Sequence, residues 1–275
     1  MVPDDFRFSQ ASLEDYVACR RRFLLRYVKR LAWPAEEIEP ADEHERHMRL
    51  ARAFHRLIHQ HLLGIPEERL SPLANEPDLR RWWHNYLTHR PQDLPPDRYP
   101  EISFSVELAG YRLMAKYDLV AVAPGERAVI VDWKTNRKPP ARADLADRLQ
   151  TRVYPYVLVR AGASLNEGRS LEPKQVEMIY WLAEYPHQPQ RFAYNQAQFE
   201  RDETALTALV EEIAGLREED FWKTDDASDC RYCRYRSLCG RGIAAGRPDP
   251  DEAIELVEAD EDLLPDFEQI AEIEY

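Results

Sequence analysis

No stretch of this chain approaches the roughly 18 uninterrupted apolar residues that a membrane-crossing helix needs. Its first residues, MVPDDFRFSQ, carry acids where a secretion signal needs a basic start followed by an apolar run. These two absences predict a soluble, cytoplasmic protein without a membrane partner. Cysteine is scarce, with four in 275 residues. In a cytoplasmic chain such a set serves metal binding more often than disulfides. Internal repeats are absent, and so is any G-x-x-x-x-G-K-[ST] phosphate loop, which excludes a P-loop ATPase motor within the chain.

Bases are missing altogether from Pro248 to Tyr275, a segment with twelve acids. The formal net charge is −13, from 50 acids and 37 bases. Removing the twelve leaves 38 acids against 37 bases, so the body is near neutral and local patches decide. Two basic segments stand out. CRRRFLLRYVKR (19–30) holds six bases and no acid, and CRYCRYRSLCGRGIAAGR (230–247) holds five arginines and no acid. We expect a body over 1–247 and an acidic tail over 248–275, the tail having enough apolar residues for one or two short amphipathic helices.

Hydropathy and turn residues predict the order of elements. Ser12 with Asp15 three residues on reads as a capping box opening a helix that runs to about Arg30. Trp33-Pro34 would end it. Met48, Ala51, Phe54, Ile58 and Leu62 form an apolar stripe on a helix from about Asp42 to Leu63. A short helix near 79–87 and a proline-rich linker (90–100) come next. Three strands then follow between 101 and 135, joined by tight turns at Ala109-Gly110 and Pro124-Gly125. Beyond them we expect a helix over 144–160 disturbed by Pro155, a strand over 175–185, another over 191–195, and a helix over 196–218. The order suggests an α/β fold with a mixed central sheet flanked by helices.

The chemistry lies in AVIVDWKTNRKPP (128–140), which begins as a buried strand and ends as an exposed basic loop. In a strand Asp132 and Lys134 share one face. Asp118 lies on the neighbouring strand, near enough to meet Asp132. Two converging carboxylates suit Mg²⁺ or Mn²⁺, which prefer oxygen ligands. Lys134 could then orient a water or stabilise charge on a phosphate oxygen. By themselves these three residues also fit a surface carboxylate pair with a lysine counter-ion.

Cys230-x2-Cys233-x5-Cys239 is a compact thiolate group, with Cys19 a distant fourth. Four thiolates fit either a structural Zn²⁺ or a 4Fe–4S cluster, and spacing does not choose between them.

Asp118 followed by Asp132-x-Lys134 resembles the core of the PD-(D/E)XK nuclease superfamily, and four further features resemble its RecB-like branch. FSQASLEDYVACRRRFLLRYV (8–28) is similar to the branch's opening helix. ARAFHRLIHQ (51–60) is similar to its histidine helix, aligned on His55. LQTRVYPYVL (149–158) matches its Gln-x-x-x-Tyr pattern as Gln150 and Tyr154, and CRYCRYRSLC (230–239) resembles its terminal cysteine group. Ala115, where relatives often have Gly, and Arg20, where many have Pro, depart from the pattern.

The resemblance implies metal ligation by His55, Asp118, Asp132 and the Trp133 carbonyl, with Lys134 as catalytic lysine. Gln150 and Tyr154 would shape the DNA-facing edge. It favours 4Fe–4S over Zn²⁺ on Cys19, Cys230, Cys233 and Cys239, joining the first helix to the C-terminal segment. The two basic segments would then meet around that joint, where Tyr232 and Tyr235 could equally stack on bases or pack against the cluster. The implied activity is a metal-dependent DNA exonuclease in CRISPR adaptation or recombinational repair, with helicase or CRISPR adaptation proteins as partners. Two alternatives stay open. One is a non-catalytic iron–sulfur subunit that binds DNA or assembles a larger nuclease; the other acts on RNA or a branched junction.

Overall fold

The computed structural model describes residues 2–31, 41–227, 229–230 and 233–242, with side chains from residue 46 onward in the second stretch. The acidic tail, Trp33-Pro34, Arg231, Tyr232 and Arg247 lie outside the described residues. Six strands form one mixed sheet: β1 (Arg7–Ser9), β2 (Asp97–Leu108), β3 (Tyr111–Ala123), β4 (Arg127–Lys134), β5 (Val176–Leu182) and β6 (Gln190–Ala193). β3 is the hub. Antiparallel β2 occupies one of its edges, while parallel β1 and then antiparallel β4 share the other. β5 runs parallel to β4, and β6 closes the sheet antiparallel to β5.

The β2–β3 hairpin follows from its turn. Ala109 and Gly110 both have positive φ, 52° and 80°, and Leu108 pairs with Tyr111 across them. That is the two-residue turn whose twist matches the strands, and glycine takes the second position without steric cost. β2 begins inside the expected linker, because Pro100 is accommodated in the strand opposite Leu119.

Helices cover both faces. α1 (Gln10–Ala18), α7 (Leu149–Ala161) and α8 (Gln196–Gly215) pack on one face with Tyr117, Val120, Ile130 and Met178. α3 (Ala41–Leu62) and α5 (Pro77–His89) pack on the other, around Phe54, Trp82, Trp133 and Trp181. The short α2 (Arg20–Phe23), α4 (Glu67–Leu70) and α6 (Arg142–Asp147) serve as connections. β4, layered on both faces, is buried from Ala128 to Lys134. This explains its near-continuous apolar run.

Several expectations need correction. The cap of α1 is Ser9: its hydroxyl accepts from the Ser12 N–H at 3.2 Å, and the Ser12 hydroxyl accepts from the Ser9 N–H at 2.9 Å. β1, just before it, was not expected at all. The helix does not run to Arg30, because Cys19 is extended (φ −161°, ψ 109°) and separates α1 from α2. A π-helical turn, Leu24–Val28, then closes the segment. The 144–160 helix is broken as well, at extended Arg148 rather than at Pro155, which α7 absorbs.

The basic segment 19–30 is mostly internal. Asp15, buried, pairs with Arg22 at 2.6 Å and Arg26 at 2.8 Å. Arg20 binds Glu212 and Lys29 binds Glu218. These charges are therefore balanced by acids and do not form the DNA patch that the sequence suggested. Tyr235 is buried, and its hydroxyl donates to the Leu31 carbonyl at 3.0 Å. It cannot stack on bases.

Removing one partner of a buried ion pair leaves the other charge uncompensated, at a cost of about 3–5 kcal/mol. Asp15→Ala should therefore lower unfolding free energy by about that amount in urea titrations. Lys174→Ala, which breaks the exposed pair with Glu172, should leave the midpoint essentially unchanged.

Candidate active site

Strand alternation fails at one point in the sheet, and Asp118 is there. Leu113, Ala115 and Tyr117 face the α7 side, Leu119 faces the α3 side, and Val120 and Val122 face the α7 side again. The side-chain phase thus slips by one residue at Asp118. β2 slips with it: Ile102, Phe104 and Val106 face the α7 side, and so does Tyr99 three residues before Ile102. Because both strands slip, the register is the same on either side, with Ile102 opposite Tyr117 and Pro100 opposite Leu119. Only the Glu101–Asp118 pairing is missing, and Glu101 takes a left-handed φ of 53°. Such backbone is costly for a residue with a Cβ and collects at working sites.

The slip coincides with the end of the β3–β4 ladder, whose last pair is Leu119–Val131. Asp118 is therefore mid-strand in β3, and its carboxylate takes the place of the lost backbone partner. Asp118 Oδ2 accepts the Trp133 N–H at 2.8 Å. In extended backbone a residue's N–H and C=O point to the same edge, so the Trp133 carbonyl faces the Asp118 side too. From the α3 layer, His55 Nδ1 lies 3.3 Å from Asp118 Oδ1.

Asp132 and Lys134 point toward α7, while Trp133 between them packs on Tyr86 and Trp181 in the other layer. Lys134 Nζ sits 3.0 Å from Asp132 Oδ2. Gln150 Nε2 donates to Asp132 Oδ1 at 2.7 Å. Lys134 also lies over the Tyr180 ring, 6.0 Å from its centre, and the Tyr180 hydroxyl bonds Thr151 in the first turn of α7 at 2.7 Å. The break at Arg148 starts α7 at Leu149, and so brings Gln150 onto the carboxylate.

Burial works to raise the Asp118 carboxyl, but His55, the Trp133 N–H and the Lys134 charge outweigh it. They hold Asp118 below its ordinary 3.8. Burial and the Asp132 charge push the Tyr180 phenol upward. Asp118 is thus ionised and Tyr180 neutral at neutral pH.

The structure gathers His55, Asp118, Asp132, Trp133, Lys134 and Gln150 at one seam. Tyr154 lies one turn from Gln150, its ring against Tyr117 at 5.0 Å, and its carbonyl accepts the Tyr117 hydroxyl at 2.9 Å. Among the described residues His59 makes no hydrogen bond or ion pair with the carboxylates, and His61 turns away to the Tyr86 hydroxyl at 3.0 Å. Sequence reasoning missed His47, which is buried with its Nε2 3.3 Å from Thr135 Oγ1 and ties α3 to the residue after Lys134. It also missed Tyr180 and Thr151. Nothing in their local sequence marks them, because only the strand order brings them together.

Among the described residues, no three His, Cys, Asp or Glu side chains stand as a ready metal site. The chemistry of the donor set nonetheless fits a hard divalent cation: two carboxylates, a backbone carbonyl and one imidazole. The four cysteines, one near the start of the chain and three between 230 and 239, are free thiols. Burial raises Cys233 to about 11, and the Cys19 and Cys230 thiols push Cys233 and Cys239 the same way. The Thr224 N–H donates to Cys19 Sγ at 3.4 Å, and the Arg241 guanidinium to Cys230 Sγ at 3.3 Å.

The family model of the PD-(D/E)XK nuclease superfamily matches residues 7–240. The chain belongs to that superfamily. Superfamily members generally use divalent metals such as Mg²⁺ or Mn²⁺, which agrees with the donors at the seam. A candidate exonuclease from Eubacterium rectale shares the fold, with TM-score 0.51 at 9% identity over 88% of this chain and 90% of that one. The crystal structure of SSO0001 aligns over 87% of this chain and 88% of that one, at 12% identity and a TM-score of 0.41, too low to carry an argument. No curated protein matches. No helix among the described residues is long and apolar enough to cross a membrane.

A carboxyl depressed in the folded state contributes stability above its unfolded value and loses it as pH falls through the folded value. In chelator-treated buffer, Asp118→Asn should therefore lose stability relative to wild type near neutral pH. The gap should narrow progressively below 3.8. A gap independent of pH would show that the Asp118 charge is not what the fold uses.

Proposed function

We propose that this chain is a RecB-like, Mg²⁺- or Mn²⁺-dependent DNA exonuclease acting on single-stranded or end-containing DNA. The observation that carries the reading is the buried Lys134–Asp132 pair at 3.0 Å, with Asp118 bonded to the peptide between them. An ion pair in a strand covered on both faces contributes little net stability, because desolvation offsets the attraction. An apolar pair would serve packing as well. A poised carboxylate and ammonium at a seam in the sheet are better explained by use than by architecture.

His55, Asp118, Asp132 and the Trp133 carbonyl would hold the divalent ion, which polarises the phosphoryl oxygen when bound. Hydrolysis adds water across one P–O bond, so a proton leaves the water and negative charge builds on the non-bridging oxygens. Lys134, held by Asp132 and by the Tyr180 face, keeps an ammonium beside that charge. Gln150 fixes the Asp132 carboxylate through Oδ1, acting as a positioning residue. Tyr154, behind it, supports the α7–β3 contact on which that position depends.

We assign Cys19, Cys230, Cys233 and Cys239 to a 4Fe–4S cluster, with Zn²⁺ as the competing ion. The effect of Cys19 and Cys230 on Cys233 and Cys239, and the N–H donors to the Cys19 and Cys230 sulfurs, support this reading, although among the described residues the four do not stand as a ready metal site. The resemblance of the spacing favours iron–sulfur. The nuclease body would then span 1–247, with the tail at 248–275 as a separate segment. A place in CRISPR adaptation or recombinational repair, beside helicase or CRISPR adaptation proteins, is part of the same proposal and rests on the resemblance alone.

Labelled single-stranded and duplex DNA should be degraded from ends with Mg²⁺ or Mn²⁺ and spared with EDTA. Lys134→Ala and Asp132→Ala should lower the rate by at least about a hundredfold, the scale of losing a charge-stabilising group. His55→Ala should cost more activity than His59→Ala. Wild-type rates in Lys134→Ala would remove that residue from the mechanism.

Anaerobically purified protein should be brown, and Cys19→Ser should bleach it as fully as Cys233→Ser. Colourless protein with one zinc per chain would reassign the site.

A further inference from the structure

A polyanion approaching Asp118 and Asp132 meets two negative charges, so something along its path must attract it. In the first segment that sequence offered for this role, four of the six bases are already paired with Asp15, Glu212 and Glu218. Cations without such partners lie elsewhere, on α3. Arg52, His55, Arg56 and His59 fall at positions i, i+3, i+4 and i+7, one face of that helix. Arg52 and Arg56 are exposed, and neither makes an ion pair among the described residues. Arg46 and Arg49, earlier on the same helix, are by contrast both bonded to Glu76. The stripe also leads to the chemistry, because His55 within it reaches Asp118 at 3.3 Å.

We infer that Arg52 and Arg56, with His59 beside them, form the contact that holds the phosphodiester backbone of the substrate strand as it enters the seam. This deepens the nuclease reading and rests on it for the identity of the strand. From Arg52 to His59 the helix rises about 10 Å at 1.5 Å per residue. That length covers roughly three phosphate steps of one strand of duplex DNA. The contact is electrostatic and blind to sequence, as a degradative enzyme requires. The unpaired guanidiniums are free to fork around phosphate oxygens, a geometry that lysine does not reproduce.

The test reads binding rather than hydrolysis. Fluorescence anisotropy of labelled oligodeoxynucleotides, single-stranded and duplex, is titrated in EDTA across a range of salt. Each phosphate contact contributes about 0.7 to the log–log salt slope for single strands and about 0.9 for duplex. Replacing both Arg52 and Arg56 by Gln should therefore lower the slope by about 1.4 on single strands and about 1.8 on duplex. Arg52→Lys with Arg56→Lys should restore most of it, since the charge is kept. Arg49→Gln, which removes a cation already bound to Glu76, should leave the slope unchanged.

A double Gln variant with wild-type slope, or an Arg49→Gln protein that loses as much, overturns the assignment. The two readings fail separately. A wild-type chain that binds with the stripe-dependent slope but never cleaves with Mg²⁺ or Mn²⁺ defeats the nuclease reading and keeps this one. An active nuclease whose double variant binds as wild type does the reverse.

Discussion

A carboxylate and an ammonium at the end of a strand buried on both faces impose conditions on everything around them. Each group is expensive to remove from water, and the pair is tolerable only if hydrogen-bonded on its remaining sides. Lys134 and Asp132 are held by each other and, at Asp132 Oδ1, by Gln150, with the face of Tyr180 alongside, while Asp132 Oδ2 is met by the ion pair rather than by a hydrogen bond. The break at Arg148, which starts α7 at Leu149, and the Thr151–Tyr180 contact are consequences of the same demand. Moving Gln150 by a turn would take its amide donor away from Asp132 Oδ1.

The second carboxylate reaches the site by a different device. A regular β3 would alternate strictly, and Asp118 would face one layer only. By slipping phase jointly with β2, the sheet keeps its register and its apolar layers, yet places one acid at the boundary between them. The cost is a left-handed Glu101, steadied by its ion pair with Lys116 at 2.9 Å. Asp118 can then be reached from the α3 layer by His55 and across the edge by the Trp133 N–H. Strain and function coincide at this point in the fold.

Which features were legible in the sequence follows from their range. The i, i+2 relation of Asp132 and Lys134, the Ala109-Gly110 turn and the apolar stripe of α3 are local, and they appear as read. His55, on the same helix, lies 3.3 Å from Asp118. What failed was non-local. A run of six bases looks like a nucleic-acid patch until Asp15, Glu212 and Glu218 fold against four of them. For Tyr235, stacking on bases and internal packing look alike in the sequence, and the bond of its hydroxyl to Leu31 decides for packing. Spacing counts charges, but it cannot tell which of them already have partners.

The cysteine end of the molecule bears on the carboxylates through the same sheet. Arg21 donates its N–H to the Trp222 carbonyl at 3.1 Å, and Arg20 lies over the Trp222 ring at 4.4 Å. Tyr235 reaches Leu31, and Cys19 accepts from Thr224. These contacts pin the C-terminal segment to the start of the chain, closing a loop of some 200 residues. Closing a loop that long costs several kcal/mol of chain entropy, though the cost grows only slowly with length. What is pinned includes β1, whose three residues pair with Arg112, Leu113 and Met114 on β3. β1 and β4 share that edge of β3, and Asp118 lies in the gap between the last residue paired to β1 and the first paired to β4. Loosening the cysteine joint would free β1, and with it one of the two strands that frame the gap where Asp118 works.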